Sequence, residues 1–397
     1  MGDGPDLIGR RLREVRAWRG LSLRATAELA GLSASYLSRI ERGERPVERR
    51  STVEALAGAL RVAPTELTGR PVAPHTPGES EGHAAVEDLR GALRDIELDA
   101  VTPESTGGLR TLPELRHDVD RAAAASFACD YRCLGAVLPD LLPRVWAHAG
   151  RIDGARTLLI ECLFHAFYLA KDLGYRDVGW SIAGHLHRAA EATDDPAWVA
   201  IADYMRAEAM VGAHARTRAL EAVVRSADAL TPDAGPAGQA YGMLRLSAAL
   251  QSAATGAVDV VPDYLAEAAD ISRHTGDGNF GGQHFGPRNV AVWRVAMAVE
   301  VGEIDRVPEL AEAVDVEALP LGRRAWFLMD VGRGLAAQRG RETVAVDTLR
   351  QAEELAPQLV HANPFVRETV ADLLRRARRD AGGRELRGIA YRMGMGA

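Results

Sequence analysis

Arginine, histidine and cysteine are the side chains through which this sequence could do chemistry, and their spacing favours recognition over catalysis. The three cysteines, Cys129, Cys133 and Cys162, are an odd set. Cys129 and Cys133 stand at i,i+4, the spacing of one helix face and not of a tight C-x-x-C metal turn. They read as structural thiols in a reducing compartment. His185 and His187 would project from opposite sides of a helix and could not share a metal ion. No H-E-x-x-H pair, no G-x-x-x-x-G-K-[ST] loop and no G-x-S-x-G elbow occurs, and the eleven histidines are scattered. No metal, no cofactor and no enzymatic reaction is expected. What remains is the guanidinium group. Lys171 is the sole lysine, so every other cation is an arginine, whose fork matches carboxylates, phosphates and base edges.

The charges are unevenly spread. Residues 1–70 carry a balance of +4 and the remainder −11, within a net charge of −7. A small basic module on a large acidic one suits a chain in which only the first part meets nucleic-acid phosphates. The preference for arginine looks like the codon bias of a GC-rich, actinobacterial genome and implies no mechanism. A length of 397 residues leaves room for two or three domains. No apolar run approaches the roughly 18–20 residues of a membrane span. The start, Met1-Gly2-Asp3-Gly4-Pro5, has neither a basic nor an apolar signal region. A cytoplasmic protein without a membrane partner is expected.

The elements that must hold these groups begin with a cluster of short helices. Apolar Leu7, Ile8, Leu12 and Val15 predict a helix over 7–18, which Gly20 stops. Ser22 caps a helix over 23–30 and Gly31 closes it; Ser33 caps another over 34–42, closed by Gly43. Two short helices joined by Gly31-Leu32-Ser33 make a helix-turn-helix, whose second helix lies in the major groove of DNA. Helices over 51–60 and from Pro64 to Leu67 complete a five-helix bundle. Its expected core is Leu23, Ala27, Leu37, Ile40, Val53, Leu56, Leu60 and Leu67.

The run Gly31-Leu32-Ser33-Ala34-Ser35-Tyr36-Leu37-Ser38-Arg39-Ile40-Glu41-Arg42-Gly43 resembles the Xre family, which includes phage repressors and Cro. The likeness spans about residues 6–68. It implies that Ser33, Ala34, Ser35, Tyr36 and Arg39 face the groove. Arg39 would read guanine O6 and N7, while Ala34, short where the family often has glutamine, would reach at most a thymine methyl. Arg42, Arg45, Arg49 and Arg50 would meet phosphates, and the amides opening the helix over 23–30 would meet another. Arg16 and Glu41 take the places of the family's buried ion pair.

Beyond residue 68 the prolines and glycines of 69–85 predict a semi-extended linker. From 86 to 397 the pattern is all-α, with breaks that end successive helix pairs near Asp194, Leu230, His274, Asp315 and Ala356. Pairs of that length resemble a tetratricopeptide-like solenoid. Gly150-Arg151-Ile152-Asp153-Gly154-Ala155, Gly302-Glu303-Ile304-Asp305 and Gly340-Arg341-Glu342 resemble its turns in degenerate form. The run Phe285–Val292 resembles a stretch of large actinobacterial Xre-plus-repeat regulators. The domain order is similar to that of the Rap, Rgg, NprR, PlcR and PrgX regulators, whose repeats bind a signalling peptide. Arg375, Arg376, Arg378 and Arg379 read as a solvated terminal face.

The first helix of each pair lines the inside of such a solenoid. Read at helical spacing, these helices offer Glu161, His165, Tyr168 and Asp172; Asp203 and Arg206; Tyr241 and Arg245; Asn289, Trp293 and Glu300; and Arg323, Trp326, Asp330 and Arg333. From these, His165, Tyr168, Arg206, Tyr241, Arg245, Asn289, Trp293, Trp326, Asp330 and Arg333 are candidate ligand contacts, Asn289 and Arg333 foremost. The same positions also suit packing between helices. The glycine-rich segment 276–286 is a loop that could gate the site. The expected function is a dimeric, sequence-specific transcriptional regulator that binds a palindromic operator in double-stranded DNA and senses a signalling peptide or small-molecule effector. The alternative is a DNA-localised scaffold whose repeats dock a protein.

Overall fold

The caps and breaks of the sequence become the ends of helices. A computed structural model describes residues 8–69, 71, 72, 74, 76–377 and 383–395, and every regular element among them is helical. Leu7, Arg378 and Arg379 lie outside the described residues. The first domain comprises α1 (Ile8–Trp18), α2 (Leu23–Leu29), α3 (Ala34–Glu41), α4 (Arg50–Leu60) and α5 (Pro64–Thr68). Ser22 Oγ accepts from the Ala25 amide and Ser33 Oγ from the Tyr36 amide, each at 3.1 Å. Each hydroxyl thereby satisfies one of the unpaired N–H groups at a helix start. Gly31 (φ 66°) and Gly43 (φ 68°) take the left-handed conformation that ends α2 and α3. Arg16 forks onto Glu41 at 2.5 and 2.8 Å and ties α1 to α3. Leu12, Leu37, Ile40, Leu56, Leu60 and Leu67 are fully buried, and Leu23 is half-buried at the core's edge.

The segment 69–85 is only partly a linker. Pro77 opens a long helix, α6 (Pro77–Glu97), because proline at the first helical position lacks only an N–H that would be unpaired anyway. Thr76 Oγ1 accepts from the Glu79 amide at 3.2 Å, and the Glu79 carboxylate accepts from the Thr76 amide at 3.3 Å. That capping box starts the second unit about ten residues before the boundary the proline content suggested.

Antiparallel helix pairs follow: α7 (Leu112–Phe127) with α8 (Tyr131–His148), α9 (Ala155–Asp172) with α10 (Arg176–Glu191), and α11 (Pro196–Ala209) with α12 (Ala213–Asp228). Next come α13 (Pro236–Thr255) with α14 (Val261–Thr275), α15 (Pro287–Val301) with the short α16 (Val307–Glu312), and α17 (Leu321–Ala336) with α18 (Glu342–Leu355). The breaks read from the sequence fall at the ends of the last five pairs. The terminal helices α19 (Pro357–His361), α20 (Pro364–Ala377) and α21 (Arg384–Arg392) depart from the pairwise pattern.

The end of the array meets its beginning. Gln358 of α19 donates to the Gly78 carbonyl of α6 at 3.1 Å. The His361 ring lies between Glu79 Oε1 at 2.9 Å and Glu353 Oε1 at 2.8 Å, and Arg392 also binds Glu353. Burial works against the imidazolium, but the two carboxylates outweigh it and raise the His361 pKa. Gly322 of α17 packs against the Cys129 sulfur in the turn between α7 and α8.

The first domain sits on this closed array through α4, which packs on α12 and α13. Arg216 of α12 holds Glu54 at 2.6 Å and Gln251 at 2.9 Å, all three buried. Arg50 pairs with Glu300 of α15, and Arg333 of α17 donates to the Glu48 carbonyl at 2.5 Å. Phe365 of α20 packs into the small domain's own core, and both Arg50 and Arg333 stack over its ring.

Candidate functional site

Helix α3 presents one face outward. Ser33, Ser35 and Arg39 are exposed, and Arg45 and Arg49 stand exposed just beyond the helix end. Arg39, Arg45 and Arg49 form no ion pair among the described residues. Arg42 is exposed but held by Glu44 at 2.6 and 2.8 Å. Ala34 and Tyr36 are half-buried against the domain's core. Tyr36 also borders a groove shared with Val299, Gly302 and Ile304 of the array, so only part of its ring is open.

Arg50 is placed differently. Its guanidinium turns into the protein, where Glu300 accepts from both its side chain and its amide. Burial opposes a charge on Glu300, yet Arg50 and Arg333 together hold its carboxyl below its ordinary value. The phosphate role implied by resemblance would require this contact to open, since the guanidinium is already matched to a carboxylate. In this arrangement Arg50 joins the two domains.

Arg50 also forms part of the wall of an internal chamber of about 180 Å³. The chamber lies among the inner helices α9, α11, α13, α15 and α17, with residues of α7, α8, α10, α12 and α19 completing it. Its aromatic walls are Phe127, Tyr131, Phe164, Tyr168, Tyr204, Trp293 and Trp326. The glycine-rich loop closes in on it: Gly282, Gln283 and His284 line the space, and Phe280 stacks on Trp198 with ring centroids 4.5 Å apart. Loop and helix can approach because Gly242 of α13 has no side chain; a Cβ there would lie 1.9 Å from Phe285 Cζ. Asn289 holds the loop from the other side, donating to the Gln283 carbonyl at 3.2 Å while its oxygen accepts from Arg323.

Of the ligand contacts expected from sequence, Tyr168, Trp293, Trp326 and Asp330 line the chamber. Asp330 is also committed to Arg333 at 2.7 Å. His165 is buried beside it, edge-on to Phe127 and Phe164; burial pushes its pKa down to about 4, so the ring is neutral. Asn289 and Arg333 serve as internal braces, one for the loop and one for the domain junction. Three others lie away from the chamber. Arg206 stacks on Trp180, while Arg245 binds Asp228 and Glu267, both at 2.8 Å, and Tyr241 donates to Glu267.

The helical stripes read from the sequence passed over Lys171, Arg176, Tyr204 and Glu208, all of which line the chamber, as does His284 of the glycine-rich loop. Periodicity could not select them, because a helix surrounded by other helices is apolar on most faces. A different signal pointed to Lys171: it is the single lysine in a chain otherwise furnished with arginine. Its ammonium lies 3.9 Å from Asp172 and from Glu208, and 4.7 Å from the centre of the Tyr168 ring. Burial lowers its pKa. Burial pushes the thiols of Cys129 and Cys162 up to about 12, which keeps both protonated.

Among the described residues no cluster of histidine, cysteine and carboxylate side chains is arranged to hold a metal ion, and no helix is long and apolar enough to cross a membrane. Comparison with curated proteins and with solved structures gives no match. The exposed helix α3, its capped turn and the Arg16–Glu41 tie all lie within a segment that a family model matches. Residues 7–68 fit the description helix-turn-helix domain, which supports a DNA-binding regulator.

Proposed function

We propose that the chain is a sequence-specific transcriptional regulator of Xre type, acting as a dimer, whose tetratricopeptide-like array senses a small effector. The observation that carries this reading is the two-sided use of one small domain. Its α3 turns Ser33, Ser35 and Arg39 to the outside, while its Arg50 reaches the chamber wall inside. A molecule filling the chamber would touch the junction that sets the position of α3. A ligand shifts such an equilibrium only by binding one docking arrangement more tightly than another, and a chamber walled by both domains provides that difference.

The chamber also separates the kinds of effector. An apolar cavity of about 150 Å³ accommodates a benzene ring. A space of about 180 Å³ therefore suits a compact molecule of one or two rings better than an extended peptide. Two copies of the small domain would supply enough base contacts for selectivity, reading half-sites about 34–36 Å apart or a multiple of it. Selection of fragmented genomic DNA by the full chain at low ionic strength tests the reading. Enrichment of one palindromic sequence over random competitor is the expected result. Retention of all fragments in proportion to their input would remove it.

A further inference from the structure

We propose that the chamber is a receptor site for a small aromatic monocarboxylate, whose carboxylate is held by Lys171 and Arg323 and whose ring lies against Tyr168, Trp293 and Trp326. This deepens the effector half of the reading above and rests on it for its biological meaning.

The first support is charge. Three ion pairs at the wall are internally balanced: Arg50 with Glu300, Arg216 with Glu54, and Arg333 with Asp330. The formal charges left over are Lys171, Arg176 and Arg323 against Asp172 and Glu208. One positive charge is therefore uncompensated in a largely desolvated space, where an unpaired ion is costly. His165 and His284 do not alter the balance, since burial pushes both down to about 4. A monoanion restores neutrality.

The second support is hydrogen bonding. The Lys171 ammonium carries three donors, and its closest carboxylate oxygens, at 3.9 Å, are beyond hydrogen-bond reach. It has no hydrogen-bond acceptor among the described residues. Arg323 spends one terminal nitrogen on the neutral oxygen of Asn289, and its Nε has no partner. The indole N–H of Trp293, a side chain more than nine-tenths buried, is likewise without one. Unused donors thus collect on one side of the chamber, where Glu208 Oε1 is also without a hydrogen-bond partner. Unlike a neutral acceptor, a carboxylate can take several such bonds at once and strengthens each by its charge.

The third support is shape. Lys171 lies 4.7 Å from the Tyr168 ring and 5.7 Å from that of Trp326, and Arg323 lies 5.7 Å from that of Trp293. Cations and aromatic plates therefore alternate along one wall, so a flat ring carrying its carboxylate at the edge meets both kinds of surface. Lysine is specifically useful here. Its compact ammonium on a flexible stem presents one point charge to both the Tyr168 and the Trp326 ring.

The test uses the full chain without DNA, titrated calorimetrically with 2-naphthoate and with its uncharged isostere 2-naphthamide. The expected result is one 2-naphthoate site per chain, with an affinity about tenfold or more above that for the amide. Lys171→Gln and Arg323→Gln should each remove that preference while the thermal unfolding midpoint stays near that of the parent. Ala296→Phe, which fills the chamber, should abolish binding of both probes. Equal affinity for acid and amide in the unsubstituted protein would overturn the proposal, as would the absence of saturable binding; neither outcome depends on a variant that folds. Because no duplex is present, either failure leaves the DNA-binding reading standing, and a failed DNA selection leaves this one standing.

Discussion

Arg39 and Arg50 belong to the same small domain and face opposite ways, and the difference lies in what each finds within reach. Arg39 is exposed on α3 and forms no ion pair among the described residues. Arg50 opens α4 and meets Glu300, which is almost completely buried. A guanidinium held between water and phosphates is free to be exchanged, whereas one matched to a buried carboxylate is held in place. Two substitutions separate reading from attraction. Arg39→Ala should relax preference at one base pair per half-site and cost about 1–3 kcal/mol against the preferred sequence. Arg45→Ala should weaken binding to every sequence alike and reduce the slope of log affinity against log salt by about 1. Quantitative binding titrations over a panel of single-base operator variants and several salt concentrations check both. An unchanged base preference after Arg39→Ala would mean that another side chain reads the groove.

At the scale of elements, two pieces of chain have more than one role. Helix α4 completes the core of the first domain with Val53, Leu56 and Leu60, while its Glu54 is buried in the array against Arg216. The loop between α14 and α15 both connects two helices and supplies chamber wall. Its seat depends on Phe285, fully buried where Gly242 leaves room for the ring. Gly242→Ala should force that ring out, since helix backbone cannot give way by the distance needed. The expected loss is about 1–3 kcal/mol in chemical denaturation, the usual result of overfilling a packed core. Faster proteolytic cutting within residues 276–286 should accompany it. Wild-type stability and cleavage rate in that variant would show that the loop is not seated by this contact.

For the whole molecule, the junction between domains is the feature on which regulation would act, and it holds a titratable group. Glu368 of α20 accepts from the Ile8 amide at 2.7 Å and the Val47 amide at 3.4 Å. Burial pushes its pKa up to about 7 in spite of those two amides and of Arg375, with Asp372 adding to the rise. The docked arrangement therefore favours the protonated acid. Its contribution to docking is fully present below the ordinary carboxylate range and is lost as pH rises through about 7. Hydrogen exchange at the Ile8 and Val47 amides, corrected for intrinsic rates, should show protection falling between about pH 6 and pH 8. Glu368→Gln should flatten that dependence. Protection that rises over the same interval would reverse the assignment.

Much of this protein is determined locally, and that part is legible in its residues. Ser22, Ser33, Gly31 and Gly43 mark helix ends because caps act on neighbouring amides and carbonyls, and the same holds for the breaks that divide the helix pairs. A cap read in isolation can still be missed. The box of Thr76 and Glu79 was hidden among prolines that suggested extended chain, although proline at a first helical position favours a helix. What only the tertiary structure decided involves residues far apart in sequence. The meeting of α6 with α19, the inward turn of Arg50 and the gathering of Lys171, Arg323 and Trp293 around one space each depend on where distant helices come to rest. Periodicity tells how apolar a face is, not which neighbour covers it. Once helices close on one another, the burial of a charged group and the partner left to satisfy it follow from packing and are written in no short stretch of the chain.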